Sequence, residues 1–236
     1  AELDEILKSK ARIKTIIVKE LKSIAEKYGQ PRKSIIIYDD VARYEEETVE
    51  IPDYPVNLFF TKEGYFKKIT PQSLRMSGEQ KLKDGDEIIQ ELEFTNNCDL
   101  LFFTDKCQVY KAKADDFAQT KASVLGDYVA AKLGFDEGEN AVKMVVTKDY
   151  KGMLLFAFEN GKAAKVPLES YATKTNRKKL TGAYSDKSPL VGLLYMPEDE
   201  EVLFKASSGN MLLVHTGALA LKTTRSTQGV ACLLYT

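Results

Sequence analysis

A short β-hairpin pattern recurs four times along the chain, and this repeat restricts the possible fold more than any other feature of the sequence. Runs of apolar and aromatic residues flank turns at Gly64, Cys107, Gly161 and Gly209, which are 43, 54 and 48 residues apart. Units of about 40 to 50 residues are typical of propeller blades, which bury their apolar faces only against neighbouring units. The sequence therefore predicts a mainly β protein built from propeller-like, four-stranded blades.

One long helical pattern precedes the repeats. Between residues 11 and 28, apolar side chains recur at intervals of three and four, which places them on one stripe of an α-helix. Gly29 and Pro31 then end the pattern. We predict an amphipathic helix within residues 1–33, followed by a β domain over residues 34–236 with four recognisable blades and a partial fifth.

A segment rich in hydroxyl, basic and glycine residues follows each hairpin. We call these segments arms 1 to 4; they are residues 73–78, 120–126, 175–182 and 224–229. Basic side chains that recur in a repeat suit the phosphate backbone of a nucleic acid, although a single basic run is equally typical of a solvated loop. The candidate DNA-binding residues in or beside the arms are Arg75, Lys81, Lys83, Lys121, Lys174, Arg177, Lys178, Lys179, Lys222 and Arg225.

The charge of the chain is unevenly distributed. The total of 34 basic and 35 acidic residues gives a net charge of −1, which by itself indicates no nucleic-acid or membrane partner. Residues 141–187, however, contain 10 basic and 4 acidic residues, whereas residues 51–140 contain 11 basic and 16 acidic residues. This distribution favours a partner that contacts only part of the molecule. No apolar run approaches the roughly 18 residues of a membrane span, so no membrane partner is expected.

Residues that often carry chemistry are sparse. Cys98, Cys107 and Cys232 form no CxxC pair and have no usual metal-ligand spacing with the single histidine, His215. We expect reduced thiols, a structural histidine and no metal site. The acidic segment at 84–86 is expected to be a turn between strands. The repeated Phe-Phe pairs are expected to pack in the blade core rather than to stack on bases.

Several stretches, in a fixed order, carry a family resemblance. The helix exit at 21–33 contains Lys-Tyr-Gly-Gln-Pro-Arg, and residues 60–68, 82–86 and 224–230 match blade and arm motifs. Together they resemble the C-terminal domain of the A subunit of bacterial type IIA DNA topoisomerases, the gyrase and topoisomerase IV family. The resemblance implies a β-pinwheel, a propeller-like ring whose outer rim binds and bends duplex DNA beside the cleavage core. It also implies that the helix is the last one of the coiled-coil region.

Gyrase and topoisomerase IV differ at the gyrase-A box, Gln-Arg-Arg-Gly-Gly-Lys-Gly, in the first blade. The corresponding stretch here is residues 72–83, and the chain contains no Gly-Gly dipeptide. Adjacent glycines allow a backbone to approach phosphates closely, so their absence favours a topoisomerase IV-like protein. The same domain of a gyrase with a degenerate box is the close alternative. A protein-interaction propeller is the alternative from another class.

The resemblance also implies partners and cofactors. They are double-stranded DNA and an ATPase B subunit, in a heterotetramer of two A and two B subunits within the bacterial cytoplasm, associated with the nucleoid. The full enzyme would need Mg and ATP, whereas this chain is expected to use no cofactor and to have no catalytic residue. Arg43 and Tyr44 imitate the cleavage motif of the family, but the acidic run at 45–47 would repel phosphate. The absence of a first Met and the apolar last residues suggest a piece of a longer protein.

Overall fold

The computed structural model falls into two compact units, Ala1–Val49 and Glu50–Thr236. It describes residues 6, 9–30, 52–76, 79–173 and 177–232. The predicted domain boundary at residues 33 and 34 lies outside these described residues, as do Arg43 and Tyr44.

The predicted helix is confirmed in the first unit. Helix α1 spans Lys10–Tyr28. The Ser9 side chain caps its beginning by accepting a hydrogen bond from the backbone N–H of Arg12 (3.4 Å). At the other end the N–H of Gly29 donates to the carbonyl of Ala25 (2.8 Å). None of the side chains of α1 is buried.

The second unit is mainly β. Its strands are β1 (Pro55–Thr61), β2 (Tyr65–Ile69), β3 (Ile88–Thr95), β4 (Asp99–Thr104), β5 (Gln108–Lys113), β6 (Asp127–Tyr128), β7 (Ala141–Thr147), β8 (Met153–Phe158), β9 (Lys162–Pro167), β10 (Lys179–Thr181), β11 (Leu190–Met196), β12 (Glu201–Lys205), β13 (Met211–His215) and β14 (Val230–Ala231). Its short helices are α2 (Pro71–Met76) and α3 (Val129–Leu133), and its 3-10 turns are Ala114–Asp116, Leu168–Tyr171 and Thr216–Ala218.

These strands form small antiparallel sheets, which we call blades 1 to 4. Their strand orders are β3-β1-β2-β6, β7-β4-β5-β10, β11-β8-β9-β14 and β12-β13. Each predicted hairpin lies at the centre of one blade, so the prediction of a mainly β fold built from blades is confirmed. Among the described residues, blades 1 to 3 have four strands and blade 4 has two.

The fourth strand of each four-stranded blade comes from the chain beyond the next hairpin. Strand β6 follows the hairpin of blade 2 but pairs with β2 of blade 1. In the same way β10 joins blade 2 and β14 joins blade 3. Consecutive blades are therefore interlocked, and the arm that follows a hairpin lies on the preceding blade. The predicted partial fifth blade includes β14, which instead completes blade 3, and residues 233–236, which are outside the described part.

The hydrophobic core lies between successive blades. Side chains alternate between the two faces of a strand, so in β4 Phe102 packs in the core cluster shared with blade 1 and Phe103 in the cluster shared with blade 3. The paired phenylalanines Phe59, Phe60, Phe102 and Phe103 are at most 2% exposed. Their prediction as core residues is therefore confirmed, and each central strand contributes to two interfaces.

The other residues singled out in the sequence have structural contacts. The Nδ1 atom of His215 accepts a hydrogen bond from the N–H of Gly217 at a 3-10 turn (3.2 Å). Asp86 accepts from the N–H of Glu63 (2.9 Å), in a turn as predicted. Burial raises the pKa of Cys98 to about 12, as expected for a packed thiol. Within the described part of the chain, no helix is long and apolar enough to cross a lipid bilayer.

Candidate nucleic-acid interface

Arms 2 and 4 dock on their neighbouring blades through equivalent hydrogen bonds. In arm 2 the N–H of Thr120 donates to the carbonyl of Lys68 in blade 1 (2.8 Å). Beside arm 4 the N–H of Lys222 donates to the carbonyl of Lys165 in blade 3 (2.8 Å). The arms are therefore attached by their backbones, which leaves side chains such as Lys121 exposed.

A glycine allows each of these two arms to approach its blade closely. A Cβ atom on Gly126 would lie 2.4 Å from the carbonyl oxygen of Phe66, and one on Gly229 would lie 1.9 Å from that of Ala163. Both glycines also have positive φ angles, +89° and +72°. The strand pairings place Lys179 at the equivalent position of arm 3, where it lies opposite Tyr110 in β10. Arm 3 therefore differs in its contact with the blade.

We predict that Gly229→Ala detaches the end of arm 4 from blade 3. The new Cβ would collide with the Ala163 carbonyl, so β14 must move and the half-buried Cys232 thiol becomes accessible. The expected result is a several-fold faster reaction of Cys232 with a disulfide reagent, measured by peptide mapping.

Gly182→Ala is the matched control for this prediction. Gly182 also has a positive φ, +62°, but a Cβ there would have no heavy atom within 4 Å. The control should therefore lose about 1 kcal/mol of stability through backbone strain alone. Equal Cys232 reactivity in the two variants would contradict the close packing of arm 4.

Arm 3 carries exposed cations beside one that is already paired. Arg177 and Lys178 are exposed. The ammonium of Lys179 instead binds the carboxylate of Asp136 at 2.6 Å, and this hydrogen bond raises the pKa of Lys179. Lys174 lies outside the described residues. Of the described candidates in this arm, Arg177 and Lys178 are therefore the more available for an external anion.

The remaining candidates differ in the same respect. Arg75, at the end of α2, and Lys81 are exposed. Lys83 lies 3.6 Å from the carboxylate of Glu63, in a pair that is about half exposed on both sides. Such surface pairs are weak, so Lys83 can exchange its partner. Residues 77–78 of arm 1 lie outside the described part.

A groove of about 610 Å³ lies between arms 3 and 4. Arg177 and Arg225 both line it, and the guanidinium of Arg225 lies 5.8 Å from the centre of the Tyr171 ring. The Ser170 hydroxyl bridges the two arms by donating to the carbonyl of Thr223 (3.4 Å). The other residues that line the groove are Ala172, Thr173, Leu180, Thr181, Gly182, Thr224 and Ser226. Two guanidinium groups among hydroxyls, with no carboxylate among the described lining residues, suit a phosphate.

The basic sector at 141–187 contributes fewer free cations than its sequence suggests. Lys148 and Lys151 bind the carboxylates of Asp53 and Asp149, each at 2.7 Å. Lys165 is only 5% exposed and is bound inside the protein. The positive charge available in this sector is therefore concentrated in arm 3.

Internal lysines are the feature that the sequence analysis missed. Lys68, Lys111 and Lys165 each lie four residues after a hairpin turn, and they are buried or half-buried beneath the arms. The recurrence at one repeat position was the available signal. It was overlooked because a lysine in an alternating strand is normally assigned to the solvent face.

Comparison with known proteins agrees with this architecture. No protein-family model matches the chain. The gyrase A protein of Streptomyces coelicolor, from DNA gyrase, is 31% identical over 179 residues, which are 72% of this chain and 21% of that protein. The corresponding A protein of DNA topoisomerase 4 from Staphylococcus epidermidis is 25% identical over 224 residues, which are 93% of this chain and 28% of that protein. The chain thus spans about a quarter of the length of these relatives.

Solved structures give the same fold. The C-terminal domain of DNA topoisomerase IV matches with a TM-score of 0.66 and 24% identity over 77% of this chain and 57% of that one. The C-terminal domain of DNA gyrase A matches with a TM-score of 0.56 and 18% identity over 79% of this chain and 64% of that one. The interlocked blades therefore define a β-pinwheel domain. With the sequence relatives, they place the chain in the family of type IIA topoisomerase A subunits.

Proposed function

We propose that this chain is the module of a type IIA topoisomerase that binds duplex DNA on its arms and bends it toward the cleavage core. The groove between arms 3 and 4 carries the proposal, because it joins Arg177 and Arg225 from successive repeats in one phosphate-sized site. Phosphate contacts fix the path of a duplex without reading its sequence. A curved row of such contacts can offset the roughly 1 to 6 kcal/mol needed to bend 20 to 30 base pairs.

The proposed module does no chemistry itself. In the complete enzyme it would present DNA for ATP-dependent strand passage, with Mg and ATP bound by other segments or by the B subunit. The assembly would be a heterotetramer of two A and two B subunits in the bacterial cytoplasm. Relatives of both enzyme types support the general role. The lack of a gyrase-A box at 72–83 favours relaxation and decatenation, so the reconstituted enzyme is expected not to introduce negative supercoils.

A salt titration of binding to a linear duplex of about 40 base pairs tests the proposed function. With six phosphate contacts, raising the salt concentration from about 50 to 200 mM should weaken binding about a thousandfold. Affinity that does not change with salt would contradict the proposal. Absence of binding at low salt would favour the protein-interaction propeller instead.

A further inference from the structure

The same internal lysine recurs in the three four-stranded blades. Lys68, Lys111 and Lys165 lie in the second hairpin strand, and each pairs with a leucine of the first strand. The equivalent residue of blade 4 is Leu213, which is 60% exposed. The lysine is thus present where a blade receives an arm from the next repeat, and it is replaced where no arm is seen among the described residues.

Each lysine ammonium reaches across to the next repeat. It donates to a backbone carbonyl in the 3-10 turn that follows the next hairpin, at the start of the segment leading to the arm. The pairs of lysine nitrogen and carbonyl oxygen are Lys68–Ala114 (2.7 Å), Lys111–Tyr171 (3.2 Å) and Lys165–Thr216 (2.8 Å). A second acceptor completes each site: Asn96 for Lys68 (2.7 Å), Thr173 for Lys111 (3.1 Å) and Asp199 for Lys165 (2.9 Å).

The backbone of the same lysine holds the other end of that segment. The backbone pairs, with their N···O distances, are Lys68–Thr120 (2.8 Å), Lys111–Lys178 (2.7 Å) and Lys165–Lys222 (2.8 Å). One residue therefore fixes two points of the next repeat, six or seven positions apart: the 3-10 turn before the arm and the arm itself.

Burial makes these contacts demanding. Lys68 and Lys165 are 2% and 5% exposed, and a buried ammonium that loses its acceptors has no water to replace them. Burial also lowers the pKa of Lys68 and of Lys111. If an arm shifted along its blade, the ammonium would lose the 3-10 turn carbonyl, so the contact resists such a shift.

We propose that Lys68, Lys111 and Lys165 are positioning residues that fix each arm on the preceding blade and thereby set the curvature of bound DNA. They touch no phosphate; they determine where the exposed cations of successive arms lie relative to one another. The curvature part of this proposal rests on the proposed function, whereas the fixing of the arms does not. Because bending depends on the spacing of contacts as well as on their number, removal of one lysine should change the bend without removing an exposed charge.

The lysine-to-methionine variants at positions 68 and 165 separate these effects. Methionine keeps the apolar stem and removes the donors. In Lys165→Met, hydrogen exchange at the Lys222 amide should become about tenfold faster, because a hydrogen bond from a charged group is lost. Exchange at the Thr120 amide should stay within about twofold, since distant sites are independent. Lys68→Met should give the reverse pattern. Lys187→Met, which removes one exposed charge, is the control and should affect neither amide.

Bending is measured on the same variants with a duplex of about 40 base pairs that carries a fluorescent donor and acceptor at its ends. At saturation, Lys165→Met should give lower energy transfer than the wild type, with an unchanged salt dependence of affinity. Unchanged exchange at Lys222, or equal acceleration at both amides, would overturn the fixing of the arms. Faster exchange with unchanged energy transfer would overturn the role in curvature. If the wild type binds no DNA, the proposed function and the curvature role both fail, and the exchange pattern still decides whether the lysines hold the arms.

Discussion

Replacing Arg177 and Arg225 together with alanine lowers the affinity of the chain for duplex DNA about fiftyfold at 0.1 M salt. Each phosphate contact releases close to one condensed counterion, which at this salt concentration contributes somewhat less than a factor of ten. The two guanidinium groups line one groove, so both contacts are lost from a single place on the duplex. The slope of log affinity against log salt should become shallower by about two contacts, measured by fluorescence anisotropy.

Lys179→Ala is the matched control for this double variant. It also removes a cation from arm 3, but that cation is bound to Asp136 in the free protein. We expect an affinity loss below about threefold, because an ion pair already satisfies this lysine. Thermal unfolding checks that loss of the contact between Arg225 and Tyr171 leaves the fold intact. An unchanged salt slope in the double variant would place the DNA elsewhere on the domain.

Phe102→Ala should destabilise the blade domain by about 3 to 5 kcal/mol, since it removes a fully buried ring from a packed interface. The Phe102 ring lies between 5.7 and 6.1 Å from the rings of Phe60, Phe66 and Phe117. These contacts join blades 1 and 2, and surrounding strands that are tied by exchange cannot readily collapse into the cavity. Urea unfolding, followed by circular dichroism, measures the loss.

An exposed apolar residue provides the comparison for Phe102. Val191, on β11, is 71% exposed, so Val191→Ala should change stability by less than about 0.5 kcal/mol. A loss below about 1.5 kcal/mol for Phe102→Ala would mean that blades 1 and 2 do not depend on this cluster for their association.

The sequence was sufficient to predict the helix, the hairpins and the blade class. These features are local: a 3.6-residue period, alternating apolar runs and turn residues all act within about a dozen positions. The Phe-Phe pairs could be assigned to the core for the same reason, because burial of large apolar side chains follows directly from their chemistry. The candidate DNA-binding residues could be collected as a class, but their individual availability could not be ranked.

That ranking depends on pairings between distant residues. Lys179 and Lys178 are neighbours in the sequence, yet only Lys179 meets a carboxylate, since Asp136 approaches it from a loop 43 residues away. The exchange of fourth strands is also invisible locally, because β6, β10 and β14 are too short to indicate which hairpin they join.

By itself, the sequence determined the repeat, the types of secondary structure and the presence of basic arms, because these depend on periodicity and composition along the chain. The tertiary structure alone decided that each arm lies on the preceding blade. It also decided that Arg177 and Arg225 share a groove, and that three lysines serve inside the protein instead of on its rim. The physical reason is that a lysine has the same chemistry in every strand, and its role is set by whether backbone carbonyls of another repeat lie within reach of its ammonium group.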